Sequence, residues 1–277
     1  MNKLELIKNN AELTQFYEQF KNTLKKYISI KATFTEQETK FTQSKFAGNP
    51  YLIDINAYPY GSDGNPLMLL AQINFAETPH LDNFPKDGLL QIYISYSDKV
   101  GLLGANFDKP TLQDLFRIIY FPANKVDEKK AIRDFQFPTH GKDYYFPVTG
   151  EFRLEFELEE DIIPFQDHRF NTILGKKPHK FDISKEALDE LYKIIDSDGH
   201  KIGGYPYFTQ WDPRDNDNYR SYDTLLFQMT SQYEEGSSLS KPAEIMWGDM
   251  GVANFFIKSE KLAQLDFSDV LYSWDCS

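Results

Sequence analysis

The sequence predicts an α+β protein, β-rich and mainly antiparallel, built on an internally duplicated sheet unit with a few flanking helices. Three observations carry this. First, landmarks recur: KIGGYPYF at 201–208 echoes KFAGNPYL at 45–52, and LLFQM at 225–229 falls on LLAQI at 69–73 with the same spacing of 156, placing Gln228 over Gln72. GVANFFI at 251–257 falls on GLLQIYI at 88–94 with a spacing of 163, so seven residues have been added to one connecting loop. Landmarks in fixed order, with length changes only between them, mark a repeated structural unit. Second, aromatic residues make up 16% of the chain and β-branched residues cluster in short runs, which suits half-buried sheet. Third, Gly and Pro punctuate the apolar runs at close intervals.

A length of 277 residues corresponds to roughly two units of about 150 residues each. The expected organisation is a single compact body over 1–277 with two pseudo-repeats, about 30–121 and about 151–277. An N-terminal helix at about 10–28 and a connector at about 122–150 complete it. With 41% hydrophobic and 26% charged residues the chain has enough apolar material for a core.

In chain order, Leu13, Phe16, Tyr17, Phe20, Leu24 and Tyr27 recur at three and four, with Glu12, Glu18, Lys21 and Lys25 opposite, which predicts an amphipathic helix. The β-branched SIKATFT that follows predicts a strand. The 45–66 segment reads as loops and brief strands. LMLLAQINF at 67–75 is a nearly continuous apolar run around one amide, as in a strand buried on both faces. KDG at 86–88 is a tight-turn signal into LLQIYISY, a strand expected to pair antiparallel with its predecessor. TLQDLFRIIYF at 111–121 reads as a short helix turning into a strand. EFRLEFELEE at 151–160 alternates strictly, which predicts a strand with one wet face. SKEALDELYKIID at 184–196 is a second amphipathic helix, stopped by Asp198-Gly199. The second repeat follows, with a polar loop at 209–223, a Gly/Ser-rich loop at 234–242, the WGDMG turn at 247–251, and the ending DVLYSWDCS.

A formal charge of −12 and a pI near 4.9 argue against nucleic acid and favour a basic protein partner. The single cysteine, Cys276, excludes an internal disulfide and any Cys/His zinc spacing, which fits a reducing compartment. MNKLELIKNNAEL lacks the apolar core of a signal peptide, and no apolar run approaches membrane-spanning length, so a cytoplasmic protein without membrane contact is expected.

The motifs GNPLMLLAQINFAE, KDGLLQIYI, HKIGGYPYFTQWDPR, LLFQM, WGDMGVANFFI and YSWDC, spread from Lys45 to the end, resemble the YwqG-like family, a bacterial family of uncharacterised function. The resemblance implies a β-rich, internally duplicated cytoplasmic fold. It also implies an immunity-like role beside secreted toxins, from the gene clusters in which some members occur. It assigns no catalytic residue.

Gln72 and Gln228 stand at equivalent points of the two most apolar runs, where an amide must find partners. They either bond neighbouring backbone or, across a pseudo-twofold, converge on a ligand site between the repeats. Gln210, Trp211, Asp212 and Arg214 form the other candidate, a recognition loop with acceptors, a cation and an aromatic anchor. As a calcium loop this stretch fails, because Tyr219 replaces the third oxygen ligand after Asp215 and Asp217. Neither Asp275-Cys276 nor the three glutamates at 155, 157 and 159 make a catalytic set: the thiol has no neighbouring base, and the wet strand face explains the acids. His80, His140, His168, His179 and His200 show no paired spacing, and His179 and His200, beside lysines, are expected to face solvent. No catalytic residue, metal ligand set or cofactor is expected, and the leading expectation is a non-enzymatic binding protein. A small-ligand protein or enzyme with its site at the repeat interface is the alternative.

Overall fold

Antiparallel pairing organises nearly everything in the computed structural model, which describes residues 2–96, 102–133, 135, 145–233 and 244–277. The first five strands are β1 Lys25–Thr35, β2 Lys45–Phe46, β3 Met68–Asn74, β4 Leu89–Ile94 and β5 Phe116–Phe121. After the short β6 Val148–Thr149 come β7 Glu151–Asp161, β8 His200–Gly203, β9 Thr224–Thr230, β10 Gln232–Tyr233, β11 Glu244–Ile245, β12 Val252–Ile257 and β13 Val270–Asp275. Ten of these form one sheet in the order β13-β12-β9-β8-β1-β7-β2-β3-β4-β5, and β10-β11-β6 form a small second sheet. The protein is therefore α+β, β-rich and antiparallel.

The long pair β1·β7 lies at the middle of the sheet, in register from Lys25 opposite Asp161 to Thr35 opposite Glu151. Outward from it, β2-β3-β4-β5 run to one edge and β8-β9-β12-β13 to the other. The pairing is crossed: β1 precedes β2 in the chain but bonds β8, and β7 precedes β8 but bonds β2. Registers match on the two sides. Lys45 faces Gln72 and Lys201 faces Gln228; Gln72 faces Gln91 and Gln228 faces Asn254. Just beyond β2 the backbone turns left-handed at Ala47 and Gly48 (φ 55° and 73°), and at the end of β8 it does so at Gly203 and Gly204 (φ 75° and 70°). Glycine carries that conformation without the Cβ clash that alanine meets at position 47.

The sheet curls until its two edges meet. The Phe116 ring on β5 packs 5.2 Å from Tyr272 on β13 and 6.3 Å from Phe255 on β12. The 102–115 segment bridges the remaining gap: the carbonyls of Pro110, Leu103 and Leu102 accept from Tyr272 N–H, Tyr272 Oη–H and Trp274 Nε1–H at 2.9, 3.0 and 2.8 Å. An open edge strand invites pairing with another chain, and here β13 is covered by the protein's own loop.

A layer of helices, α1 Lys3–Asn9, α2 Tyr17–Lys21, α3 Phe170–Leu174 and α4 Lys185–Ile194, packs its own apolar cluster around Ile7, Phe16, Phe20, Phe170 and Leu191. A last helix, α5 Ser259–Ala263, joins β12 to β13. Among the described residues no helix is long and apolar enough to cross a membrane.

Several expected elements are corrected. The expected helix at 10–28 is only α2, with a 3-10 turn at Thr14–Phe16 before it. The Thr23 hydroxyl and N–H both bond the Phe20 carbonyl and end it, and the chain enters β1 at Lys25, where Ile28 and Ile30 alternate inward. α1 was not expected; an Asn2/Glu5 capping box forms it. No helix forms at 111–115, because Gln113 crosses to the Phe267 carbonyl while its own carbonyl oxygen Oε1 accepts the Ile118 N–H. The Gly/Ser-rich loop at 234–242 lies outside the described residues.

His200 is buried, against the expectation that it faces solvent, whereas His179 is exposed. Its Nδ1 accepts the Thr230 N–H at 3.1 Å, so its proton sits on Nε2, 2.9 Å from the Gln232 side-chain oxygen. The equivalent position on the other side is Ser44, whose hydroxyl accepts the Asn74 N–H in the same way. Burial pushes the His200 imidazole down to about 4 from its usual 6.5, so between those values the unfolded chain binds the proton and the folded one does not. Stability from this group is complete above pH 6.5 and is lost as pH falls toward 4. Between pH 7 and 4.5 the wild type should lose about 2 kcal/mol more stability than His200→Asn, measured from denaturant midpoints. Equal losses would exclude the role.

Candidate functional site

The two glutamines singled out in the sequence do the same work on opposite sides of the sheet. Gln72 Oε1 accepts the Tyr51 N–H at 2.8 Å, and its Nε2 donates to the Phe41 and Gln43 carbonyls at 2.7 and 2.8 Å. Gln228 Oε1 accepts the Tyr207 N–H at 2.7 Å, and its Nε2 donates to the Ser197 and Gly199 carbonyls at 3.1 and 2.8 Å. Every partner of Gln228 lies 156 positions after the matching partner of Gln72. Four strands separate β3 from β9, and both amides are spent on backbone, so the pair frames loops and does not meet at a ligand.

The second candidate loop divides into a buried half and an exposed half. Asp212 and Arg214 are each 1% exposed. The Arg214 guanidinium reaches Asp212 at 2.7 Å and Asp167 at 3.4 Å, and lies 4.2 Å over the Phe256 ring. Arg169 completes the cluster with two bonds to Asp167, at 2.7 and 2.6 Å. Burial alone would raise the Asp167 carboxyl, yet the Arg169 hydrogen bond and the Arg214 charge hold it down at about 2. Asp167, His168 and Asp212 bring ligand-type atoms within 4.8 Å of one another, but the cation this cluster holds is the protein's own guanidinium. Burial and the Arg214 charge also lower His168.

Gln210 and Trp211 make the exposed half. Gln210 is anchored, its N–H donating to Asp275 at 2.8 Å and its side chain to the Cys276 carbonyl at 2.6 Å, while Trp211 is 68% exposed. Both line a cleft of about 620 Å³ at the β12–β13 edge of the sheet. Phe107 (56% exposed) and Trp274 add apolar wall, Asp215 and Asp275 add acid, and Asn254 is also in its lining. Burial raises the Asp275 carboxyl even though it accepts the Gln210 and Thr209 N–H groups. A cavity of this size with mostly apolar walls and a few placed polar groups has the dimensions of a ligand site.

Phe107, Trp274 and Asn254 escaped the sequence reading. Phe107 reaches the cleft only through curling of the sheet, which no local pattern reports, while Trp274 stands on β13 at the cleft wall. Asn254 was legible: at the spacing of 163 it falls on Gln91, and Phe256 falls on Tyr93.

A curled, antiparallel α+β sheet with an aromatic cleft where its edges meet defines the class of protein. Residues 44–276 match the family described as a domain of unknown function (DUF1963), and the chain belongs to that family. No curated protein matches the sequence.

Replacing Gln228 by Met, which keeps the volume but not the hydrogen bonds, leaves three backbone groups without the amide, one buried and two half-buried, and should lower stability by about 2–3 kcal/mol in urea titration. A change under about 1 kcal/mol would show that water replaces the amide.

Proposed function

We propose that the protein is a non-enzymatic, cytoplasmic binding protein of the YwqG-like type, in which a duplicated sheet unit carries one recognition cleft. The observation that carries the reading is Trp211. A large aromatic side chain 68% exposed, on a loop whose neighbours Gln210 and Asp212 are fixed by hydrogen bonds, is poised to anchor a partner. The duplication is supported by the matched registers and by the three backbone partners that Gln72 and Gln228 hold at equivalent positions. Binding is favoured over catalysis because the carboxylates nearest the cleft floor are already committed: Asp212 to Arg214, and Asp275 to backbone N–H groups.

The net charge of −12 and the acidic rim favour a basic protein as partner. Immobilised wild-type protein should retain such a partner from lysate at low salt and release much of it at moderate salt, because screening weakens exposed charge pairs. Trp211→Ala should reduce retention about tenfold or more while leaving the unfolding midpoint nearly unchanged. Equal retention by the variant would remove the cleft as the binding surface.

A further inference from the structure

We propose that the cleft floor is a subsite for an N–H-bearing cation, an alkylammonium or guanidinium group, whose hydrogen is accepted by the Asn254 side-chain oxygen. This rests on the reading of the cleft as the binding surface and specifies what enters it.

The two sides of the sheet differ at this point. On the first side Gln91 is fully satisfied: its Nε2 donates to the Tyr51 carbonyl and to Gln72 Oε1, both at 2.8 Å, and its Oε1 accepts the Tyr93 hydroxyl at 2.8 Å. Tyr58 and Leu52 pack over Tyr93, and Ile132 packs against the same cluster, so that side is filled. On the second side Asn254 repeats half of the pattern, donating from Nδ2 to the Tyr207 carbonyl at 2.9 Å. That carbonyl needs a donor, which fixes the orientation of the amide. Phe256 stands where Tyr93 stands and brings no hydroxyl, and asparagine is one methylene shorter than glutamine. Asn254 Oδ1 is left buried without a hydrogen-bond partner, on a side chain 1% exposed that lines the cleft. Buried polar oxygens are rarely left so, and a ligand donor is a direct way to satisfy one.

The surroundings set the sign of that donor. Asp215 and Asp275 line the cleft, and no lysine or arginine is among its described lining residues. Arg214, between the lining residues Pro213 and Asp215, is turned inward onto Asp212 and the Phe256 ring. Trp211, Trp274 and Phe107 supply aromatic surface, to which ammonium and guanidinium groups are attracted through the ring quadrupole. A free amine and a basic side chain of a protein share this chemistry.

The test is calorimetric titration of the full chain with n-butylammonium, n-butylguanidinium, a short alanine peptide carrying one lysine, and n-butanol as the neutral control. The cationic probes should bind and butanol should not. Tighter binding of the peptide would assign the source to a protein, and equal binding to a free amine. The double variant N254Q/F256Y rebuilds the first side's arrangement and gives the oxygen its own donor, so cation binding should weaken about tenfold or more with the unfolding midpoint unchanged or raised. W211A, tested in parallel, separates the two readings. If W211A weakens the cations and N254Q/F256Y does not, the cleft stands as the binding surface and the subsite assignment falls. If neither variant alters binding, both fall. Butanol binding as well as butylammonium, or no cationic probe binding at all, would overturn the cation class.

Discussion

Two buried side-chain amides hold the sheet's architecture in place. Each sits in the middle of a strand whose neighbours are apolar, and each reaches sideways to three backbone groups that no strand ladder satisfies. A chain that leaves a short strand such as β2 or β8 and returns past the sheet must leave carbonyls and N–H groups buried, and burying them unpaired is costly. One glutamine on each side answers that demand. The left-handed turn at 47–48 and at 203–204 then follows, because it directs the chain so that the N–H three residues on, that of Tyr51 or Tyr207, meets the waiting amide oxygen. The landmarks that recur in the sequence are therefore the parts of one clamp: glycine for the turn, glutamine for the bonds, and an apolar strand to bury both.

This explains what could be read from the sequence and what could not. Strands β3, β4, β7, β9 and β12 were legible because burial on both faces or on one leaves an unmistakable residue pattern. Helix α4 was legible through the helical spacing of Leu188, Leu191, Tyr192 and Ile195, of which Leu191 and Ile195 are fully buried. The stretch after Lys21 misled because Leu24 and Tyr27 continue a helical spacing by coincidence. Leu24 is in fact 39% exposed, and the β-branched residues beyond it belong to the central strand pair. His200 misled because flanking lysine suggested solvent, yet Lys201 is itself buried against Asp161 at 3.3 Å. In a strand at the centre of a sheet, sequence neighbours say little about exposure when the ladder partners on both sides cover them.

The candidate site was half legible for a different reason. The 210–214 stretch carried the right residues, but sequence could not say that Asp212 and Arg214 point inward while Trp211 points out. Arg214 needs Asp167, 47 positions away, before burial becomes tolerable, and that proximity exists only after folding. Replacing such a buried ion cluster with apolar residues is often neutral or stabilising, so stability alone gives little reason to keep one. What the cluster does supply is geometry. Asp212 bonds the Arg214 N–H and guanidinium and the His168 N–H, so the loop is held at several points within one turn of Trp211. An indole exposed on a loop fixed in this way enters an encounter with little conformational freedom left to lose, which is the condition for an efficient anchor.

The two sides of the sheet thus part company where the clamp meets its second amide. On one side glutamine, tyrosine hydroxyl and a covering cluster close the position completely, with Gln91 and Tyr93 both fully buried. On the other, two substitutions, Asn254 for Gln91 and Phe256 for Tyr93, remove the hydroxyl donor and shorten the reach, and the Phe256 ring becomes the platform for Arg214. The same ring that withholds a donor from Asn254 therefore supports the guanidinium that fixes the Trp211 loop. Phenylalanine at this position thus leaves the Asn254 oxygen without a hydroxyl donor and steadies the neighbouring loop. The position tolerates this change, because the clamp at Gln228 keeps its three backbone partners while the neighbouring amide oxygen is left without one.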